Sequence, residues 1–180
     1  MVAALAGVDE VVGPDRDLPA RQRVRHLVER LAARVDAAGE ALRGVAEALS
    51  EVLAATAEHR ADGLTLAVAA LPRRGDLLPA LRRIAAIADR PVLAWRVADQ
   101  VEAWLAAHDP GRASLLSTAR DLSTTAPSAL LAVGIASQAG PYAGWPAPWR
   151  ELVLALREHA DPDVRERALR TITAREGHGV

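Results

Sequence analysis

The chain has 180 residues, a formal net charge of −1 and no cysteine. That length is enough for one domain with a buried core, and the near-zero charge argues against a protein that binds a polyanion over its whole surface. The absence of cysteine excludes disulfides and thiolate metal sites, and it fits a reducing compartment.

Residues 1 to 18 contain Gly7, Gly13 and Pro14 and show no periodic apolar pattern, which predicts a flexible leader. The leader lacks the basic start and long apolar run of a signal peptide, and no apolar run reaches the roughly 18 residues of a membrane span. Every basic residue is arginine, and lysine, asparagine and phenylalanine are absent, which is typical of GC-rich coding. We therefore expect a soluble, cytoplasmic, bacterial protein.

Residues 19 to 58 carry apolar side chains at alternating steps of four and three, the pattern of a coiled-coil heptad. Two interpretations fit this pattern. One is a coiled coil that dimerises the protein, and the other is a long helix, or two helices broken near Gly39, that packs on its own domain. The apolar residues at these steps, which we call the heptad seam, are Val24, Val28, Leu31, Val35, Ala38, Leu42, Val45, Leu49 and Val52.

The second interpretation is favoured, since Gly39 and Gly44 each weaken a continuous helix by about 1 kcal/mol relative to alanine. The apolar face is also wider than a dimer seam needs, because Leu27, Ala46 and Leu53 broaden it. We expect a monomer with three leucines of this segment buried against helices between residues 60 and 90. They are Leu31, Leu42 and Leu49.

From residue 59 to 180, proline, glycine and aspartate divide the chain into short apolar segments. These predict helices over residues 64–71, 76–89, 91–107, 110–122, 125–138, 148–160 and 161–176. The corners at Asp89, Thr125 and Asp161 are each 36 residues apart, and equal spacing indicates a repeat of helix pairs. The last six helices make three pairs, and residues 60–71 form a looser pair with the end of the heptad segment.

The pair from 148 to 176 is the clearest. Asp161 is placed to cap the second helix, Pro162 suits its first position, and Asp163 adds negative charge at the positive end of the dipole. This run resembles the second helix of a HEAT repeat, and the matching residues are Asp161, Pro162, Val164, Arg165, Ala168 and Leu169. The resemblance implies an all-α protein, an α-solenoid of HEAT-like pairs preceded by a long helix, that acts as a non-catalytic protein-interaction or scaffolding module.

No catalytic constellation is visible in the sequence. His159, Asp161 and Asp163 are close enough in sequence to suggest metal ligands, as are His108 and Asp109, but helix starts already explain both aspartate-proline pairs. Nucleophile-elbow, phosphate-loop and zinc-protease motifs are missing. We expect no cofactor, no metal and no enzymatic activity.

Residues 73 to 96 contain six arginines and only two aspartates, and Trp95 and Trp104 are close in sequence. A basic ridge with tryptophan suits phosphate contacts and base stacking, and some HEAT-like proteins are glycosylases of alkylated DNA bases. Nucleic-acid binding or DNA repair is therefore the first alternative function, although the neutral charge favours a solvated helix face. The candidate phosphate contacts are Arg73, Arg74, Arg82, Arg83 and Arg96.

Residues 140 to 149 concentrate Tyr142, Trp145 and Trp149 among three prolines. Such a loop either binds a partner protein, since aromatic side chains dominate interface hot spots, or seals the end of a helix pair. A second alternative function is a helical regulatory domain in which a closed apolar pocket encloses a small ligand.

Overall fold

The computed structural model describes residues 14–38, 40–111 and 114–173. All regular elements in these ranges are helices, which confirms the all-α class. The chain divides into two compact units, Met1–Leu71 and Pro72–Val180, a later division than the expected one between residues 58 and 59. No helix of the described ranges has both the length and the apolar character needed to cross a membrane.

The first unit contains α1 (Pro14–Ala38), α2 (Glu40–Ala54), a 3-10 turn (Ala57–His59) and α3 (Arg60–Ala69). Helices α1 and α2 contact each other, and both pack on α3. The heptad segment is thus a helix pair, and Gly39, the expected break, lies outside the described residues. Residues 14–18, assigned to the flexible leader, are helical, and the rest of the leader is outside the described residues.

The core of this unit departs from the heptad seam within α2. Ala46 and Leu53 are fully buried, whereas the seam residues Val45 and Val52 are exposed. A helix has 3.6 residues per turn, so the contact face drifts away from a strict 3.5 repeat when a domain rather than a coiled-coil partner covers it. Leu31, Leu42 and Leu49 are partly buried against a cluster made of Val24, Val28, Val35, Ala46, Leu53, Leu66 and Ala70.

Helix α3 crosses α2 at Gly63 with the two backbones in close approach. A Cβ at this position would lie 2.7 Å from the Ala54 nitrogen and 2.8 Å from the Ser50 carbonyl oxygen. Both neighbours are backbone atoms, so neither can rotate away. The crossing therefore requires glycine.

The second unit contains six described helices. They are α4 (Leu78–Ile87), α5 (Pro91–Ala107), α6 (Leu115–Leu122), α7 (Ala126–Tyr142), α8 (Ala147–Arg157) and α9 (Pro162–Arg170). Helix α6 contacts both α4 and α8, and helix α7 contacts both α5 and α9. Helices α6 and α7 also contact each other, as do α8 and α9. The main contacts of α4 and α5 are with α7 rather than with each other.

Helix α7 is the centre of the second unit. Every residue from Ser128 to Ala136 is buried, and helices α4, α5, α6, α8 and α9 all contact this helix. A helix that is apolar on all sides is stable in water only when other elements surround it. Its many alanines, with Gly134, let those neighbours approach closely.

The helix starts agree in part with the sequence expectations. The Asp161 carboxylate accepts the backbone N–H groups of Asp163 at 2.9 Å and Val164 at 3.3 Å, which confirms it as the N-cap of α9. The N-cap of α5 is Arg90 rather than Asp89, because Pro91 occupies the first helical position and sets the start. Thr125 is the N-cap of α7, but its hydroxyl bonds to Ser128 Oγ instead of a backbone amide.

Helix α6 begins at Leu115, later than the expected start at residue 110. Gly111 has φ of 96°, a left-handed conformation that a right-handed helix does not contain. Helix α4 likewise begins at Leu78 rather than Asp76, although the Asp76 carboxylate accepts the Leu78 N–H at 2.9 Å.

Candidate functional site

A polar network joins α5 to α9 across the central helix. The Arg167 guanidinium of α9 donates to Asp99 Oδ1 at 2.6 Å and to Glu102 Oε2 at 2.7 Å, both on α5. Asp99 and Glu102 are one helical turn apart, so both carboxylates face the same guanidinium. Arg167 therefore fastens the first helix pair to the third.

Gly134 makes room for this crossing on α7. A Cβ there would lie 3.3 Å from the Ala98 carbonyl oxygen and 3.9 Å from Arg167 Nη2. One turn further along α7, Gln138 Nε2 donates to Glu102 Oε1 at 3.3 Å. The network thus includes side chains from α5, α7 and α9.

Trp95 of α5 lies under two arginines of α9. The guanidinium carbons of Arg167 and Arg170 are 5.2 Å and 5.5 Å from the centre of the indole ring, within cation–π range. Arg170 also pairs with Glu166 one turn earlier on α9. These contacts hold the half-buried indole in one orientation.

We call the surface made by Val92, Trp95, Asp99, Arg167 and Arg170 the α5/α9 surface. Its charges are unequally exposed, since Arg167 is 7% exposed while Asp99 and Arg170 are each 67% exposed. Arg167 Nε is buried without a hydrogen-bond partner, although the two terminal nitrogens of the guanidinium are well paired. The surface therefore has a buried cation beneath and exposed charges of both signs outside.

The predicted partner-binding aromatics do not form one surface. Tyr142 is exposed at the end of α7, whereas Trp149 lies in the first turn of α8 and is buried. Trp145 folds back so that its backbone N–H donates to the Gly140 carbonyl at 2.9 Å and its ring occupies the space where a Cβ of residue 140 would be. The positions of Trp145 and Trp149 fit the sealing interpretation of this loop.

All five candidate phosphate contacts are exposed: Arg73, Arg74, Arg82, Arg83 and Arg96. Arg82 lines an open cavity of about 500 Å³ whose other charged lining residues are Asp89 and Asp121. Neither nearby tryptophan presents a bare ring, because arginines cover Trp95 and Trp104 is buried and stacked on His108 at 4.5 Å between ring centres. The structure does not bring the basic stretch together with a stacking platform.

The residues weighed as metal ligands have structural partners. His159 Nδ1 accepts the Asp161 N–H at 3.0 Å, and Asp161 caps α9. Within the described ranges, no three His, Cys, Asp or Glu side chains are grouped as metal ligands.

The sequence interpretation missed Arg167, because its partners on α5 are 65 and 68 residues away. One local signal was present. Arg167 stands three residues after Val164 and immediately before Ala168, on the buried face of α9, and an arginine on a buried face requires a charged partner. Comparison of the chain with protein families, with curated proteins and with solved structures gives no match.

Proposed function

We propose that residues 78–170 form a short α-solenoid of three HEAT-like pairs that binds another protein and has no catalytic activity. The pattern of contacts between helices supports this proposal. The first helix of each pair contacts the first helix of the next pair, and the second helices do the same. In two of the three pairs the two helices also pack on each other. Stacked repeats have such contacts between adjacent pairs, and here Arg167 adds a side-chain link from the first pair to the third. The protein acts as a monomer in this proposal.

The α5/α9 surface is the proposed contact region for the partner. This assignment rests on the arrangement of Trp95 and Val92. Trp95 is half-exposed and two arginines hold its ring in place, and Val92, one turn away on α5, is 78% exposed. Tryptophan and arginine are enriched at interface hot spots, and a side chain that is already fixed loses little entropy on binding. The arrangement suits a protein partner with an apolar group for Val92 and for the part of Trp95 that the arginines leave exposed.

The charges of this surface favour protein over nucleic acid. Asp99, Glu102 and Glu166 surround the two arginines, so a phosphate backbone approaching Trp95 would meet carboxylates as well. We expect binding to single-stranded or duplex DNA at physiological salt to stay in the non-specific range, with Kd no tighter than about 10⁻⁶ M. Tight binding that Arg82→Glu with Arg83→Glu abolishes would instead support the nucleic-acid alternative.

Affinity isolation with the tagged full chain tests the protein-binding proposal. Trp95→Ala and Val92→Asp should each reduce the amount of the bound partner by about tenfold or more, because hot-spot truncation costs at least about 2 kcal/mol. Leu154→Asp is the matched control, since Leu154 is also an exposed apolar residue but lies on α8. Circular dichroism should show all three variants folded. Equal retention of partners by all variants would refute the assignment.

A further inference from the structure

Three side chains of the α5/α9 surface lie in one row along α5. Val92, Trp95 and Asp99 are separated by steps of three and four residues, which return to the same side of a helix. The row is about 10 Å long, since each of its seven steps adds about 1.5 Å. Val92 is 78% exposed at one end, Trp95 is half-exposed between them, and Asp99 is 67% exposed at the other end. A partner segment that follows α5 over Val92 and Trp95 therefore reaches the Asp99 carboxylate.

One oxygen of this carboxylate is bound and the other is open. Asp99 Oδ1 accepts a hydrogen bond from Arg167 Nη1 at 2.6 Å, which orients the carboxylate. Oδ2 accepts no hydrogen bond from any residue that the structure describes. Glu102 differs, because its two oxygens accept from Gln138 and Arg167 and its side chain is only 31% exposed. Asp99 is thus the acceptor that this row offers to a partner.

The open oxygen sets a requirement for any group that covers the row. A partner that packs on Val92 and Trp95 removes water from the neighbouring carboxylate, and an oxygen that loses water without gaining a donor weakens binding. A cationic donor suits Asp99 best, because hydrogen bonds between ionised groups are the stronger ones. Arg167 does not remove this requirement, since its single positive charge is shared between two carboxylates, Asp99 and Glu102.

The exposed arginines nearby do not satisfy the open oxygen. Arg170 pairs with Glu166 on its own helix and lies over the Trp95 ring. Arg96 is exposed on α5, three residues before Asp99, but the two side chains form no ion pair. Once a partner covers the row, the donor for Oδ2 therefore has to come from the partner.

We propose that the partner binds through an amphipathic helix that carries an apolar residue for Val92 and Trp95 and, seven residues away, an arginine or lysine for Asp99. A helix packed along α5 fits, because both helices rise equally per residue and a spacing of seven on one matches a spacing of seven on the other. This inference rests on the proposed function, since it specifies the partner of the same surface. It adds the sign of the partner's charge and the distance of that charge from the apolar anchor.

A phage-displayed library of peptides about 16 residues long, roughly four helical turns, tests the inference on the full chain. The peptides to keep are those that bind the wild type but neither Trp95→Ala nor Val92→Ser, and circular dichroism shows whether both variants are folded. Among these peptides, arginine or lysine seven residues from an apolar residue should be more frequent than in the unselected library. If Trp95→Ala unfolds, Val92→Ser alone makes the selection, because Val92 is exposed.

The same selection against Asp99→Asn isolates the charge. Asparagine keeps an oxygen that can accept from Arg167 but removes the negative charge, so the excess of arginine and lysine should disappear. For one peptide selected on the wild type, Asp99→Asn should weaken binding about tenfold. Replacing the cation of that peptide by methionine should then cause no further loss on Asp99→Asn.

Two other variants serve as matched comparisons. Glu166→Gln also removes an exposed carboxylate, but this one pairs with Arg170, so the affinity of the peptide should stay within about twofold. Arg96→Gln should strengthen binding, because it removes a charge of the same sign as the peptide's cation.

The outcomes separate this inference from the proposed function. Selected peptides with no excess of arginine or lysine, or with the cation at no fixed spacing, would overturn the cationic helix and leave the protein-binding surface intact. Equal weakening by Asp99→Asn and Glu166→Gln would overturn it as well. If no peptide depends on Trp95 or Val92, the α5/α9 surface is not a contact region and both proposals fail.

Discussion

The two units of the chain contain glycines that serve helix packing in different ways. In the first unit Gly63 lets the backbone of α3 meet the backbone of α2, and apolar side chains fill the space around that crossing. In the second unit Gly134 of α7 lies beside Arg167, which joins α5 to α9, and the atom that a Cβ there would meet first is the Ala98 carbonyl oxygen at 3.3 Å. Both glycines thus face a backbone atom, but the approach is wider at Gly134, so a small shift of the helices relieves it. The same substitution should therefore cost more in the first unit.

The largest effect is expected for Gly63→Ala. The new methyl group would overlap two backbone atoms, so α2 and α3 must separate, and we expect a loss of about 3 kcal/mol or more in the free energy of unfolding. Urea unfolding followed by circular dichroism measures the loss, and amide hydrogen exchange should show it in α2 and α3.

Gly44→Ala is the matched control in α2, because a Cβ at residue 44 meets nothing within 4 Å. This variant should stabilise the protein by about 0.5 to 1 kcal/mol, since alanine has the higher helix propensity. If the two variants changed stability alike, the close crossing at Gly63 would be wrong. A smaller loss for Gly134→Ala than for Gly63→Ala would support the contrast between the units.

The second largest effect is expected for Arg167→Ala. The substitution leaves Asp99 and Glu102 facing each other without a cation and removes the cover of Trp95. Loss of one member of a buried ion pair costs about 3 to 5 kcal/mol, but both carboxylates reach solvent, so we expect about 2 kcal/mol. All four tryptophans are in the second unit, so their fluorescence during urea unfolding reports this loss.

Arg170→Ala is the control for this variant. Arg170 also contacts Trp95, but its pair with Glu166 is exposed, and such pairs contribute less than about 1 kcal/mol. Arg167→Met preserves much of the side-chain volume without the charge, and it should remain as destabilised as Arg167→Ala if the ion pairs matter most. A stable Arg167→Met would assign the role of Arg167 to packing.

The sequence predicted local features better than long-range contacts. The helical class, the break at the heptad segment and the cap at Asp161 all follow from residues close in sequence. The central position of α7 also has a local signal, because the run from Ala126 to Ala136 has no charged residue and therefore no polar face. Helix starts were less certain where proline or glycine shifted the first turn, as at Pro91 and Gly111.

Little of the candidate site could be predicted from the sequence. The α5/α9 surface needs the contact between Trp95 and Arg167. These residues are two 36-residue repeats apart, at equivalent positions of the first and third pairs, but equal spacing does not predict that their side chains touch. Tyr142, Trp145 and Trp149 are candidates for partner binding because aromatic side chains dominate interface hot spots, but residue type does not distinguish a core residue from a contact residue. Burial decides that question, and burial depends on the tertiary fold.

The smallest effect tests a local prediction within the second unit. Asp161→Ala removes the acceptor of two backbone N–H groups at the start of α9 and should cost about 1 kcal/mol. Asp163→Ala removes only a favourable charge near the helix dipole and should cost about 0.5 kcal/mol or less. Asp161→Asn retains the cap acceptor without the charge, so it should resemble the wild type more than Asp161→Ala does. Equal losses for Asp161→Ala and Asp163→Ala in urea melts would mean that charge, rather than the cap hydrogen bonds, stabilises this corner.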